Sequence, residues 1–140
     1  MYDRFAALVP ALNAARHIGP VLEDIMRSIP PGNVVVVDDG STDETAAIAE
    51  RAGATVVRHE TNRGKGAALR TGIERLRSLG GLDAVVMLDA DGQHDPNEIP
   101  TFADEFAEGN ADLIIGNRMG ARSGMPPLRR FTNNLTSTII

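Results

Sequence analysis

Apolar runs and amphipathic stretches alternate along the chain, and most of them end at a proline or glycine. Residues 5–9 are a short apolar run closed by Pro10. From 20 to 29, Val21, Leu22, Ile25, Met26 and Ile29 recur at helical spacing until Pro30-Pro31-Gly32 stops them. Residues 34–37 are consecutive valines, the pattern of a strand buried on both faces. Ser41-Thr42-Asp43-Glu44 reads as a capping box that opens a helix to Arg51, with Gly53 as its stop. A strand over 55–57, an amphipathic helix over 65–79 and a strand over 83–88 follow. Asp95-Pro96-Asn97-Glu98 then caps a helix running to Glu108 before Gly109, residues 112–115 read as a last strand, and a further helix starts near Pro127.

Strands and helices in alternation predict an α/β fold, a mostly parallel sheet flanked by helices, in one domain over 1–140. Ligands of such sheets bind beyond the carboxyl ends of the strands. Polar clusters fall at those ends: Asn13, Asp38-Asp39, Asn62-Arg63-Gly64-Lys65, Asp89 to Asp91, and Asn117-Arg118. Their common position predicts one site on one rim.

Composition narrows the function. At 42% hydrophobic and 24% charged residues, the chain can bury a core. With no cysteine, a disulfide, a thiolate metal site and a cysteine nucleophile are excluded. The net charge of −5 argues against non-specific nucleic-acid binding. No apolar run approaches the roughly 20 residues that span a bilayer, and no secretory signal is visible. The cytoplasm is therefore the expected location. Between 117 and 140, however, stand Arg118, Arg122, Arg129 and Arg130 and no acid. That segment should face a phosphate, an acidic headgroup or an acidic partner. A helix from Pro127 would set Arg129 and Arg130 beside Leu128, Phe131 and Leu135, a pattern for peripheral contact with the membrane's cytoplasmic face.

Three motifs carry candidate chemistry. Asp89-Ala90-Asp91 follows a buried strand, so two hard oxygen ligands come within reach of one cation, and small Ala90 and Gly92 leave room for a diphosphate. An acidic loop explains the tripeptide alone better than a metal does; the apolar strand before it and Gln93 after it turn the reading to Mg²⁺ or Mn²⁺ on Asp89, Asp91 and Gln93. Asp38 and Asp39 end the valine strand, where a carboxylate can accept two hydrogen bonds from the N–H edge of uracil or guanine, while Ser41 is expected to cap a helix. Gly64 and Gly66 let backbone approach a ligand and Lys65 brings a cation, although the spacing is not that of a P-loop. His17 and His59 read as surface or turn residues, and His94 as a weaker metal candidate than Gln93.

The ordered set Val9-Pro10-Ala11-Leu12-Asn13, Val37 to Asp43, Asn62 to Gly66, Leu88 to Gln93 and Gly116-Asn117-Arg118 closely resembles glycosyltransferase family 2. Within it the chain looks most like dolichol- or polyprenyl-phosphate mannosyl- and glucosyltransferases. The resemblance implies the GT-A fold, with Pro10, Ala11, Asn13, Asp38, Asp39, Lys65, Asp89 and Ala90 around a UDP- or GDP-sugar. It also implies Mg²⁺ or Mn²⁺ on Asp89, Asp91 and Gln93, and Arg118 with Arg129 or Arg130 on the phosphate of a lipid acceptor. Asp91, Arg118 and Arg130 would then be the catalytic set. Ala14-Ala15 departs from the family, where many members place an acid after the asparagine. Members also continue beyond this length, so the chain is expected to be a C-terminally truncated piece of a longer protein.

Those residues predict a single inverting displacement by an acceptor phosphate, which needs no general base because it is already anionic near neutral pH. A family member acting on a glycan hydroxyl, which requires a carboxylate base, and a nucleotidyltransferase are the alternatives; a receiver domain ranks last, since its acidic pair would follow the first strand.

Overall fold

The computed structural model describes residues 1–109 and 112–116. Arg118, Arg122, Arg129, Arg130 and the helix expected from Pro127 lie outside the described residues. The chain divides into two compact units, Met1–Asn110 and Ala111–Ile140. The first holds β1 (Phe5–Ala11), α1 (Ile18–Ile25), β2 (Val34–Asp38), α2 (Thr45–Ala52), β3 (Thr55–Arg58), α3 (Lys65–Arg77), β4 (Ala84–Met87) and α4 (Ile99–Ala107). The four strands form one parallel sheet in the order β3-β2-β1-β4. The chain winds outward from β1 through β2 to β3 and then crosses to the other side of β1. The switch point therefore falls between β1 and β4.

Strand periodicity distributes the core. Ala7, Val9, Val34 and Val36 face Ile18, Leu22, Ile25 and Ala49 on one side, while Ala6, Leu8, Val35 and Val37 meet Ala68 and Leu76 of α3 on the other. All four valines of β2 are fully buried, as a central parallel strand requires. Gly72 brings α3 close to the sheet, because a Cβ there would stand 2.1 Å from Leu8 Cδ1.

Four expectations are corrected. Pro10 does not end β1, which pairs with β2 through Ala11. Leu8 O faces β4 and Ala11 O faces β2, so Pro10 turns its missing N–H toward β4, whose register stops at Met87. The capping box does not form: α2 starts at Thr45, and Asp43 Oδ1, not Ser41, accepts from the Thr45 amide. The first helix begins at Ile18 and ends at Ile25, with turns covering the residues to Ile29. Residues 112–116 form no strand, and Leu113 and Ile115 are 76% and 68% exposed. An apolar run becomes a strand only where a neighbour satisfies its amides and carbonyls, and no described strand pairs with this one.

Candidate functional site

An open cleft of about 290 Å³ lies at the carboxyl ends of the strands. Pro10 and Ala11 come from β1, Asp39 from the turn after β2, and Asp89, Ala90 and Asp91 from the loop after β4. Gly64 and Lys65 at the start of α3 complete its wall, so eight residues singled out from the sequence share one surface. Its place at the switch point follows from the winding. Leu12, Ala14 and Asn62 also line it. Leu12 is 44% exposed, an apolar side chain that spacing alone gave no reason to single out.

The acidic loop is tied from three sides. Lys65 Nζ donates to Asp89 Oδ1 at 2.5 Å. His94 Nδ1 accepts from the Asp89 amide at 2.9 Å, and Asp91 Oδ1 accepts from the Gln93 amide at 2.9 Å. Asp89 is half-buried, whereas Asp91 and Gln93 are exposed. The residues fit a divalent cation: Asp89 already holds a positive group, and both ligands are hard oxygens. Among the described residues no group of three acidic, histidine or cysteine side chains forms a ready cage. A cation here would therefore need oxygens from a bound ligand, as Mg²⁺ commonly does.

Asp39 is the most enclosed carboxylate of the cleft. Its Oδ1 accepts from His59 Nδ1 at 2.6 Å and from the Arg63 amide at 2.9 Å, and its Oδ2 accepts from the Gly64 amide at 2.8 Å. Burial pushes the Asp39 carboxyl up, but the hydrogen bonds from His59, Arg63 and Gly64 outweigh it and hold the group below its ordinary value. His59 is buried, contrary to the surface or turn reading, and its Nε2 meets Thr71 Oγ1 at 3.0 Å. The amphipathic frame gave it no apolar neighbours in sequence; only the folding of β3 against α3 encloses it.

Asn13 and Asp38 are drawn into architecture and do not line the cleft. Asn13, at φ 50°, accepts the Thr42 amide on Oδ1 and donates its own amide to Ser41 Oγ, bolting the loop after β1 to the loop after β2. Asp38 is fully buried. Its Oδ1 accepts from the Ser41 amide, while Oδ2 lies 3.1 Å from Arg58 Nε without hydrogen-bond geometry. The shared base-binding role expected for the pair thus rests on Asp39 alone.

Residues 6–138 match the sequence profile of glycosyl transferase family 2. The chain belongs to that family. An uncharacterized protein of Methanocaldococcus jannaschii is 37% identical over 134 residues, covering 94% of this chain and 54% of its own length. Dodecaprenyl-phosphate galacturonate synthase of Rhizobium johnstonii is 33% identical over 128 residues, covering 84% of this chain and 37% of the relative. This chain therefore spans about half or less of these family 2 relatives. Its GT-A fold is shared with glucosyl-3-phosphoglycerate synthase from Mycobacterium tuberculosis, crystallised with Mn²⁺, UDP-glucose and phosphoglyceric acid. That match has a TM-score of 0.59 at 27% identity, covering 77% of this chain and 41% of that one.

Proposed function

We propose that this chain is the sugar-donor-binding part of a metal-dependent, inverting hexosyltransferase that uses a UDP-sugar and a polyprenyl-phosphate acceptor in the cytoplasm. The observation that carries the reading is the convergence of Asp39, Lys65, Asp89 and Asp91 on one cleft at the switch point. A base carboxylate, a cation for phosphate and two metal carboxylates are what a nucleoside diphosphate requires.

The base preference comes from counting acceptor positions. A carboxylate offers about four, and His59, Arg63 and Gly64 fill three of those on Asp39. One position suits uracil, with its single ring N–H, better than guanine, whose adjacent donors need two. The relative crystallised with UDP-glucose supports the same choice.

The acceptor class is supported by the relative named for a dodecaprenyl phosphate. A phosphate oxygen would attack the anomeric carbon as the bond to the diphosphate oxygen breaks, with that electron pair staying on the leaving nucleoside diphosphate. The configuration inverts, and an ionised phosphate has no proton to lose. Lys65 would steady the diphosphate, and Arg118 with Arg130 would hold the acceptor phosphate by bidentate forks. Bound by Asp89, Asp91 and Gln93, Mg²⁺ or Mn²⁺ supplies neutralisation of the leaving group's charge.

Calorimetric titration of UDP and GDP, with and without Mn²⁺, beside Asp91→Ala tests the reading. Metal-dependent UDP binding that the folded variant loses would support it. Binding by neither diphosphate under any metal condition would remove it.

A further inference from the structure

The cleft is served by a buried side chain that hydrogen-bonds to one residue of its lining, Asp39. His59 follows the last residue of β3, its Nδ1 is 2.6 Å from Asp39 Oδ1, and its Nε2 is 3.0 Å from Thr71 Oγ1 in the middle of α3. The two paired side chains, His59 and Asp39, are 5% and 6% exposed. A histidine tied at both ring nitrogens has one orientation, and it transmits that orientation to its partner, as in hydrogen-bonded positioning pairs at other sites. The Arg63 amide shares Oδ1 with His59, so this oxygen is saturated from inside the protein. Gly64 alone donates to Oδ2, which leaves the carboxylate's spare acceptor position on that oxygen. Arg58 does not compete, since its ion pair is with Asp38.

We propose that His59 is a positioning residue for the nucleobase: held between Asp39 and Thr71, it locks the Asp39 carboxylate so that Oδ2 offers one acceptor position to a ring N–H. This rests on the sugar-nucleotide reading above and adds a residue that governs base choice from outside the cleft. Without the imidazole, the carboxylate is held only by backbone amides and can turn about its own axis. The consequence is a loss of base discrimination, distinct from a loss of diphosphate binding, because Lys65 and the acidic pair act on the phosphates.

The test is calorimetry on the full chain with UDP and CDP in the presence of Mn²⁺, using wild type, His59→Leu, His59→Asn and Thr71→Val. Uracil carries a ring N–H and a carbonyl oxygen where cytosine has a ring acceptor and an amino group, so the change in the UDP-to-CDP affinity ratio between wild type and variant, rather than the ratio itself, reads the Asp39 contact. Wild type should prefer UDP by about tenfold or more, the size of one hydrogen bond to a charged group. In His59→Leu the ratio should fall to within about threefold while CDP affinity holds. His59→Asn, whose amide nitrogen falls near the place of Nδ1, should restore most of the ratio, and Thr71→Val should lower it partway. Should His59→Leu fail to fold, the asparagine and valine variants carry the same comparison. A wild-type ratio retained in every folded variant overturns the role of His59 and leaves the sugar-nucleotide reading intact. A wild type that binds neither nucleotide overturns both.

Discussion

The ammonium of Lys65, at the start of α3, stands 2.5 Å from Asp89 Oδ1, in the loop after β4. It occupies one of the two carboxylates that the proposed function gives to the cation, so on that reading lysine and metal would compete for the oxygen until a diphosphate took the lysine. Lys65 is exposed at 61% and Asp89 half-buried at 32%, so the pair is worth little as stability. Its effect should appear in binding. Lys65→Met is expected to raise affinity for Mn²⁺ alone by about twofold to fivefold and to lower affinity for UDP with Mn²⁺ by about tenfold. Manganese titration followed by paramagnetic resonance, with and without UDP, checks both signs. A variant that binds free Mn²⁺ more weakly would show that Lys65 does not compete with the metal.

Gly40 should tolerate no side chain. It sits at φ 81°, and a Cβ there would lie 2.6 Å from the Asn62 amide nitrogen and from the Thr61 carbonyl carbon. The backbone so displaced leads into Arg63 and Gly64, which donate to Asp39. Gly40→Ala is expected to cost about 3 kcal/mol of stability from left-handed strain and overpacking together. It should weaken UDP binding as well. Urea denaturation gives the first number and calorimetry the second.

Arg58 is the counter-charge of a carboxylate that water cannot reach. Asp38 is fully buried, and its Oδ2 accepts no hydrogen bond. Arg58→Met should therefore destabilise the fold by about 1–3 kcal/mol, the cost of leaving a buried acceptor without its partner. Arg58→Met combined with Asp38→Asn should recover part of that loss, which a double-mutant cycle in urea would measure.

Acid should weaken the fold through four carboxylates. Asp39, Asp43, Asp83 and Asp95 all sit below their ordinary value. Hydrogen bonds from His59 and two backbone amides hold Asp39 down against its burial. The side chain of Thr45 does the same for Asp43, that of Arg4 for Asp83, and the Asn97 amide for Asp95. A lowered native value means that the unfolded chain binds more protons in this window, so stability rises with pH there. It is fully present above the unfolded carboxylate value of about 4 and is lost as pH falls through the lowered native values. Urea midpoints measured between pH 7 and pH 3 should fall steeply only at the acid end, and Asp43→Asn should flatten part of that slope.

Much of the site was legible in residue types and spacing. Four valines in a row require two covering layers, which makes β2 a central parallel strand, and strand ends collect polar groups on one rim. Asp89, Asp91 and Lys65 were recognisable only as parts of an ordered set, since an acidic loop or a helix start explains each motif alone. The strand before Asp89, expected to be buried, is an edge strand with Val85 and Met87 exposed, because no described strand covers its outer side. Roles that depend on approach were hidden. Asp38 and Asp39 are neighbours of the same type, yet one is sealed against Arg58 and the other lines the cleft, because successive residues at a strand end point to opposite sides. His59 lies 20 positions from Asp39 and 12 from Thr71, and only the packing of β3 and α3 closes those gaps. Residues 112–116 have the composition of a strand and are not one here, since pairing is a property of two segments. Residue types and their spacing were enough to set the alternation of elements, the rim and the chemical kinds of group on it. Tertiary structure alone decided which carboxylate reaches the cleft and which histidine orients it, because burial and hydrogen bonding are set by neighbours distant along the chain.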